Sequence, residues 1–155
     1  MFAILLMVTV PQAAKLSFCE QEITKSPFQA RGDVMKPSKA QMDRALMPGF
    51  LRFQEDVCRC LPRRRHRPAS VRAVLHIDPN QGETTVKYTI PGPANRSVRR
   101  MVACLGEPTV TFEPFRYVSD MLNADGERIG RILRYPLLLN LEDPKDTSAE
   151  SKRAR

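Results

Sequence analysis

Val71-Arg-Ala-Val-Leu-His-Ile-Asp78 and Glu83-Thr-Thr-Val-Lys-Tyr-Thr-Ile90 flank the linker Pro79-Asn-Gln-Gly82. Val71, Ala73, Leu75 and Ile77 alternate with Arg72, Val74, His76 and Asp78, a period of two with one apolar face. Val86, Tyr88 and Ile90 repeat the pattern against Thr85, Lys87 and Thr89. Between the runs, Pro79 presets φ, Asn80 tolerates the left-handed region and Gly82 has no Cβ to obstruct a turn. Two half-buried strands on a short Gly-containing loop predict an antiparallel hairpin over 71–78 and 83–90.

Pro91-Gly-Pro93 closes the hairpin, and Asn95 offers a side-chain oxygen as a helix N-cap. Val98, Met101, Val102 and Leu105 follow at i, i+3, i+4 and i+7, which predicts an amphipathic helix over 95–105 lying across one sheet face. Gly106 and Pro108 stop it. Val110, Phe112, Phe115 and Tyr117 make an extended aromatic passage broken by Pro114, and Asp125-Gly126 marks a turn. The last strand, 128–141, sets Ile129, Leu133, Tyr135, Leu137, Leu139 and Leu141 on one parity, with Arg128, Arg131 and Arg134 wetting its first half. Pro136 has no N–H to give a ladder, so it belongs at a sheet edge. The fold class is α+β: a small antiparallel sheet in the order ββαβ with one packed helix, preceded by one or two short helices.

The order of elements and several residues resemble the TonB C-terminal domain, in the Cys-containing form found in bacterial secreted and motility-associated proteins. The matching features are the hairpin Val71–Ile90, the helix Asn95–Leu105 with Cys104, the passage Val110-Thr-Phe-Glu-Pro114 and Arg134-Tyr-Pro-Leu-Leu138 in the final strand. The resemblance covers residues 71–141, roughly half of the chain. It implies a non-enzymatic module that contacts other envelope proteins, by pairing a strand with a partner's segment. Energy transduction is not expected, since the chain shows neither a membrane-spanning apolar run nor a long Pro-rich spacer. On the final strand the expected partner-binding residues are Arg131, Arg134, Pro136 and Leu138. The expected occupant is an envelope or secreted protein, or a second copy of the chain in a weak homodimer.

Outside that stretch the chain reads as lead-in and tail. Met1–Val10 is apolar except for Thr9 and precedes Pro11-Gln-Ala-Ala14. Residues 1–14 thus resemble a signal peptide without its basic n-region, and predict a periplasmic or secreted protein. Residues 15–37 have no clear period and read as an irregular arm. Within it, Arg31-Gly32-Asp33 spells a short adhesion tripeptide of the kind that arises by chance. Residues 38–70 form a helical lead-in. Ser38 and Gln41 make a capping box, Pro48-Gly49 ends a first short helix, and a second runs from Phe50 to Cys60 with a face of Phe50, Gln54, Val57, Cys58 and Leu61. Residues 142–155 are polar, mixed in charge and read as a disordered tail.

Residues 51–70 carry a surplus of +4, half of the chain's +8, so the basic character is a local patch at Arg63, Arg64, Arg65 and Arg67. Such a cluster neutralises phosphates in nucleic-acid-binding proteins, which is the alternative function. No aromatic residue alternates with these arginines as a base-stacking platform requires, and a solvated linker explains them as well.

Four cysteines in a small exported chain predict two disulfides with three connectivities open. Cys58 and Cys60 point about 200° apart on a helix. With Cys58 on the apolar face, the expected bonds are Cys58–Cys104 and Cys19–Cys60. A metal site from Cys58, Cys60, His66 and Cys104 is the rival, but zinc pairs usually leave two or more residues between cysteines. Nucleophile-elbow, zinc-protease and phosphate-loop motifs are all missing. His76 and Asp78 sit at i and i+2 on one strand, an ordinary surface pairing. The expectation is therefore no catalytic residue, no cofactor and no metal.

Overall fold

The structure, a computed structural model, describes residues 17–25, 37–118, 124–126 and 132–141. The expectations on residues 1–14, on Arg31-Gly32-Asp33, on Arg128, Ile129 and Arg131, and on the tail 142–155 lie outside the described residues.

The elements run α1 (Ser17–Glu20), α2 (Lys39–Cys60), a 3-10 turn (Arg64–His66), β1 (Ser70–Asp78), β2 (Glu83–Thr89), α3 (Arg96–Leu105), β3 (Thr109–Thr111) and β4 (Leu133–Asn140). The strands form one antiparallel sheet in the order β3-β2-β1-β4. The α+β class, the hairpin and the Asn95 cap are as the sequence indicates, with Asn95 Oδ1 accepting from the Val98 N–H at 2.9 Å.

The helical layer differs from expectation. Pro48 and Gly49 do not end a helix: α2 is continuous over 22 residues, opened by the Ser38–Gln41 capping box. Its buried positions, Met42, Ala45, Leu46, Gly49, Phe53, Asp56, Val57 and Cys60, keep one phase on both sides of Pro48. A helix-interior proline costs about 3 kcal/mol. Burying Leu46, Phe53 and Val57 returns about 1.5–3 kcal/mol each, so packing prevails. Gly49 serves close approach: a Cβ there would meet Thr84 Cγ2 at 2.9 Å and Leu75 Cδ1 at 3.2 Å. Next to it, the buried Thr84 hydroxyl donates to the Ala45 carbonyl at 3.2 Å.

It follows that α2, and not 95–105, lies across the sheet. It packs on β2, β1 and β3, while α3 packs against α2 and the β2 side. At that margin α3 buries only Val98, Met101 and Leu105. Val102, expected in the stripe, stays 46% exposed. The core joins the α2 stripe to Val71, Ala73, Leu75, Ile77 and Val86, and Leu141 closes it. Residues 38–70 are thus structurally part of the domain rather than a lead-in.

The aromatic passage after α3 grips the hairpin turn. Beyond β3, the Phe112 N–H donates to Gly82 O and the Phe115 N–H to Pro79 O, both at 2.9 Å. Asn80 pairs reciprocally with the Tyr117 backbone at 3.0 and 3.1 Å. Gly82, at φ 69°, has no room for a side chain against Phe112 O.

Candidate functional site

Among the described residues, β4 has β1 as its one neighbour in the sheet. The Leu141 N–H donates to Ala69 O at 2.8 Å, and the register pairs Val71 with Leu139, Ala73 with Leu137 and Leu75 with Tyr135. In an antiparallel ladder, alternate residues turn both backbone groups to the same side. The odd-numbered residues of β4 therefore bond to β1. Arg134, Pro136, Leu138 and Asn140 direct their backbone groups to the open edge. Pro136, the residue with no N–H to offer, occupies one of the outward positions.

The side chains follow the same parity. Leu133, Tyr135, Leu137 and Leu139 are half-buried on the helix side, while Arg134, Pro136, Leu138 and Asn140 are exposed on the other face. Leu138 is 60% exposed. Of the expected partner-binding residues, the structure brings Arg134, Pro136 and Leu138 together on one edge, and Arg131 lies outside the described residues. On the solvent face Arg134 sits across from His76, Pro136 across from Val74, and Leu138 across from Arg72, with Lys87 beside Val74 on β2. Burial, reinforced by the charges of Lys87 and Arg134, lowers the pKa of His76 from its ordinary value.

The disulfides are Cys19–Cys58 and Cys60–Cys104, with Cα separations of 5.8 and 5.7 Å. This corrects the expected pairing. The unbroken phase of α2 turns Cys60 inward, beside Cys104 on α3, and Cys58 toward α1. The Gln54 amide also donates to the Phe18 and Gln21 carbonyls at 2.6 and 2.8 Å, and Phe18 packs edge-on against Phe53. With all four cysteines in disulfides, no thiolate remains for the rival metal site. Two disulfides mark a protein that matures in an oxidising compartment. No helix among the described residues is long and apolar enough to cross a membrane.

The basic patch divides. Arg63, Arg64 and Arg65 are exposed around the 3-10 turn, whereas Arg67 is half-buried and its Nε donates to Pro62 O at 3.3 Å.

Sequence reasoning missed one constellation. Asp56 is fully buried and accepts from Arg52 Nε (3.0 Å) and Tyr88 Oη (3.0 Å) on Oδ2, and from Arg59 Nη2 (2.7 Å) on Oδ1. Burial, then the bond to Asp56, raises the Tyr88 hydroxyl far above its usual value and keeps it a donor. The Arg52 guanidinium's own hydrogen bond to Asp56 raises its pKa. The group clamps α2 to β2. On a helix wheel Arg52, Asp56 and Arg59 look like a surface i,i+3/i,i+4 set. Carrying the Met42–Gly49 phase through Pro48 is the signal that places Asp56 inside.

Comparison with protein-family models, curated proteins and solved structures yields no match for this chain.

Proposed function

We propose that the protein is a non-enzymatic protein-interaction module of the periplasm or the secreted fraction, and that it binds by adding a partner's extended segment to β4. The observation that carries this reading is the open edge of β4, with the backbone groups of Arg134, Leu138 and Asn140 turned outward beside an exposed Leu138. Such an edge is a template for another chain. Pro136 limits it: one donor is absent, so binding is selective in register and the edge is protected from indiscriminate pairing.

The resemblance to the TonB C-terminal domain belongs to the same proposal. The hairpin, α3 and the final strand beside β1 are the elements on which it rests, and the disulfides suit an envelope protein. In this reading residues 1–14, with the apolar run Met1–Val10, serve as the export signal, and sequencing the N-terminus of native protein tests it.

The edge itself is tested by selecting displayed extended peptides on the oxidised protein and on Leu138→Pro. That substitution removes an outward N–H and leaves the bonds to β1 intact. Peptides enriched on the parent and lost on the variant support strand addition; equal enrichment on both overturns it.

A further inference from the structure

The solvent face of the sheet is basic where it borders the β4 edge, at Arg134 and Arg72. Arg134, Arg72 and Lys87 are exposed there, and none of them forms an ion pair among the described residues. Among the described residues, Asp78 and Glu83 lie on that face at the hairpin-turn end, and Glu107, just before β3, is near enough for its charge to oppose the lowering of the His76 pKa. Asp78 Oδ1 is occupied, accepting from the Asn80 and Gln81 N–H groups at 3.1 and 3.2 Å. Among the described residues of β4 and its flanks, 132–141, there is no acidic side chain.

We propose that the segment added to β4 carries acidic side chains at alternate positions, those that share the solvent face with Arg134 and Arg72. This rests on the strand-addition reading and names the partner's chemistry. An added strand places every second side chain on that face, opposite Arg134, Pro136, Leu138 and Asn140. A directly opposed pair brings Cβ atoms to about 4.5–5.5 Å, so a Glu opposite Arg134 is in ion-pair reach. Strands are spaced about 4.8 Å apart. Arg72, on β1, is two strands from the partner, and its side chain is long enough to span Leu138, its register partner on β4. Lys87, on β2, is three strands away, roughly 14 Å by the same spacing and beyond a Debye length of about 8 Å at physiological salt. Arg134 and Arg72 therefore select the partner, and Lys87 adds little. Side chains of the other parity pack beside Leu133, Tyr135, Leu137 and Leu139, which are half-buried and apolar, so they are apolar in the partner too. A second copy of the chain meets this requirement poorly, because its own β4 presents Arg134 and no carboxylate.

The test titrates the oxidised full chain with three synthetic peptides of about eight residues, blocked at both ends. One alternates Glu with Val, one is the same composition in two blocks, and one alternates Lys with Val. The alternating Glu peptide is expected to bind about tenfold or more tighter than either control, the equivalent of 1.4 kcal/mol. Arg134→Glu and Arg72→Glu each weaken it severalfold, Lys87→Glu leaves it nearly unchanged at physiological salt, and Leu138→Pro abolishes it. As a readout independent of how Leu138→Pro folds, amide exchange is followed in the parent as well, where the peptide protects the Arg134 and Leu138 N–H groups. If the Lys peptide binds as tightly and is also lost in Leu138→Pro, strand addition stands and the acidic partner is overturned. Equal binding of the block peptide that survives Leu138→Pro reduces the face to a general anion patch and overturns both. Self-association that protects the same amides, with no peptide bound, makes the occupant a second copy and overturns the proposal.

Discussion

Tyr88 on β2 donates its hydroxyl to the buried carboxylate of Asp56 on α2 at 3.0 Å, across a mostly apolar helix–sheet seam whose other buried polar contact is Thr84 to Ala45 O. Phe53 stacks on the same ring with centroids 6.0 Å apart. The tyrosine therefore fixes both the distance and the rotation of α2 over the sheet.

Removing either partner should destabilise the fold. Tyr88→Phe leaves Asp56 with its two arginines and should cost about 1.5–3 kcal/mol, the range for hydrogen bonds to charged groups. Asp56→Ala should cost more, tempered because Arg52 and Arg59 keep 32% and 50% of their side chains in water. Urea unfolding of both variants measures this, and parental midpoints would dismiss the clamp.

The same hydroxyl predicts an alkaline weakness. Its folded pKa is raised above the ordinary 10.0, so the folded state holds a proton that the unfolded chain releases. Its contribution is complete below about pH 10 and is lost as pH rises beyond that value. Between roughly pH 9.5 and 11 the parent's melting temperature should fall more steeply than that of Tyr88→Phe. Parallel curves would contradict the assignment.

Non-reducing peptide mapping should recover Cys19–Cys58 and Cys60–Cys104. Each bond closes a loop, with sequence separations of 39 and 44, worth on the order of 4 kcal/mol on the chain-entropy model. Despite similar loops, the Cys60→Ser/Cys104→Ser pair should destabilise the domain more than Cys19→Ser/Cys58→Ser. The first bond joins two core helices, whereas the second holds a four-residue helix to the outside of α2. Equal loss from both pairs would argue against that division.

Gly49→Ala should destabilise although alanine is the better helix former. The gain is about 1 kcal/mol, and overpacking against Thr84 Cγ2 costs about 1–3 kcal/mol. Thr84→Ser keeps the hydroxyl bonded to Ala45 O and removes the clashing methyl. Thermal melts of the double variant should therefore recover most of the loss, and no recovery would place the cost elsewhere.

The parity of β4 is testable by stability alone. Leu139→Lys puts a charge on the helix side and should cost at least about 2 kcal/mol, while Leu138→Lys, on the exposed side, should stay within about 0.5 kcal/mol. Similar losses in both would mean that the strand is covered on both faces.

By itself the sequence determined what depends on local period and turn chemistry. The alternation of Val71–Ile77 and Val86–Ile90 defined two strands, Asn95 a cap, Ser38 with Gln41 a helix start, and Pro136 an edge. Each follows from neighbours a few residues apart, where sterics and backbone hydrogen bonding decide. Tertiary structure alone decided which helix covers the sheet. Pro48 and Gly49 are helix breakers by propensity, yet the burial of Leu46, Phe53 and Val57 on one stripe outweighs them, and Gly49 admits the sheet's Thr84. That single outcome carried three others with it. It rotated Cys60 inward to Cys104 and Cys58 outward to Cys19, it buried Asp56 under Tyr88, and it moved α3 to the margin, leaving Val102 in water. Long-range packing set the phase of α2, and no local rule contains that phase.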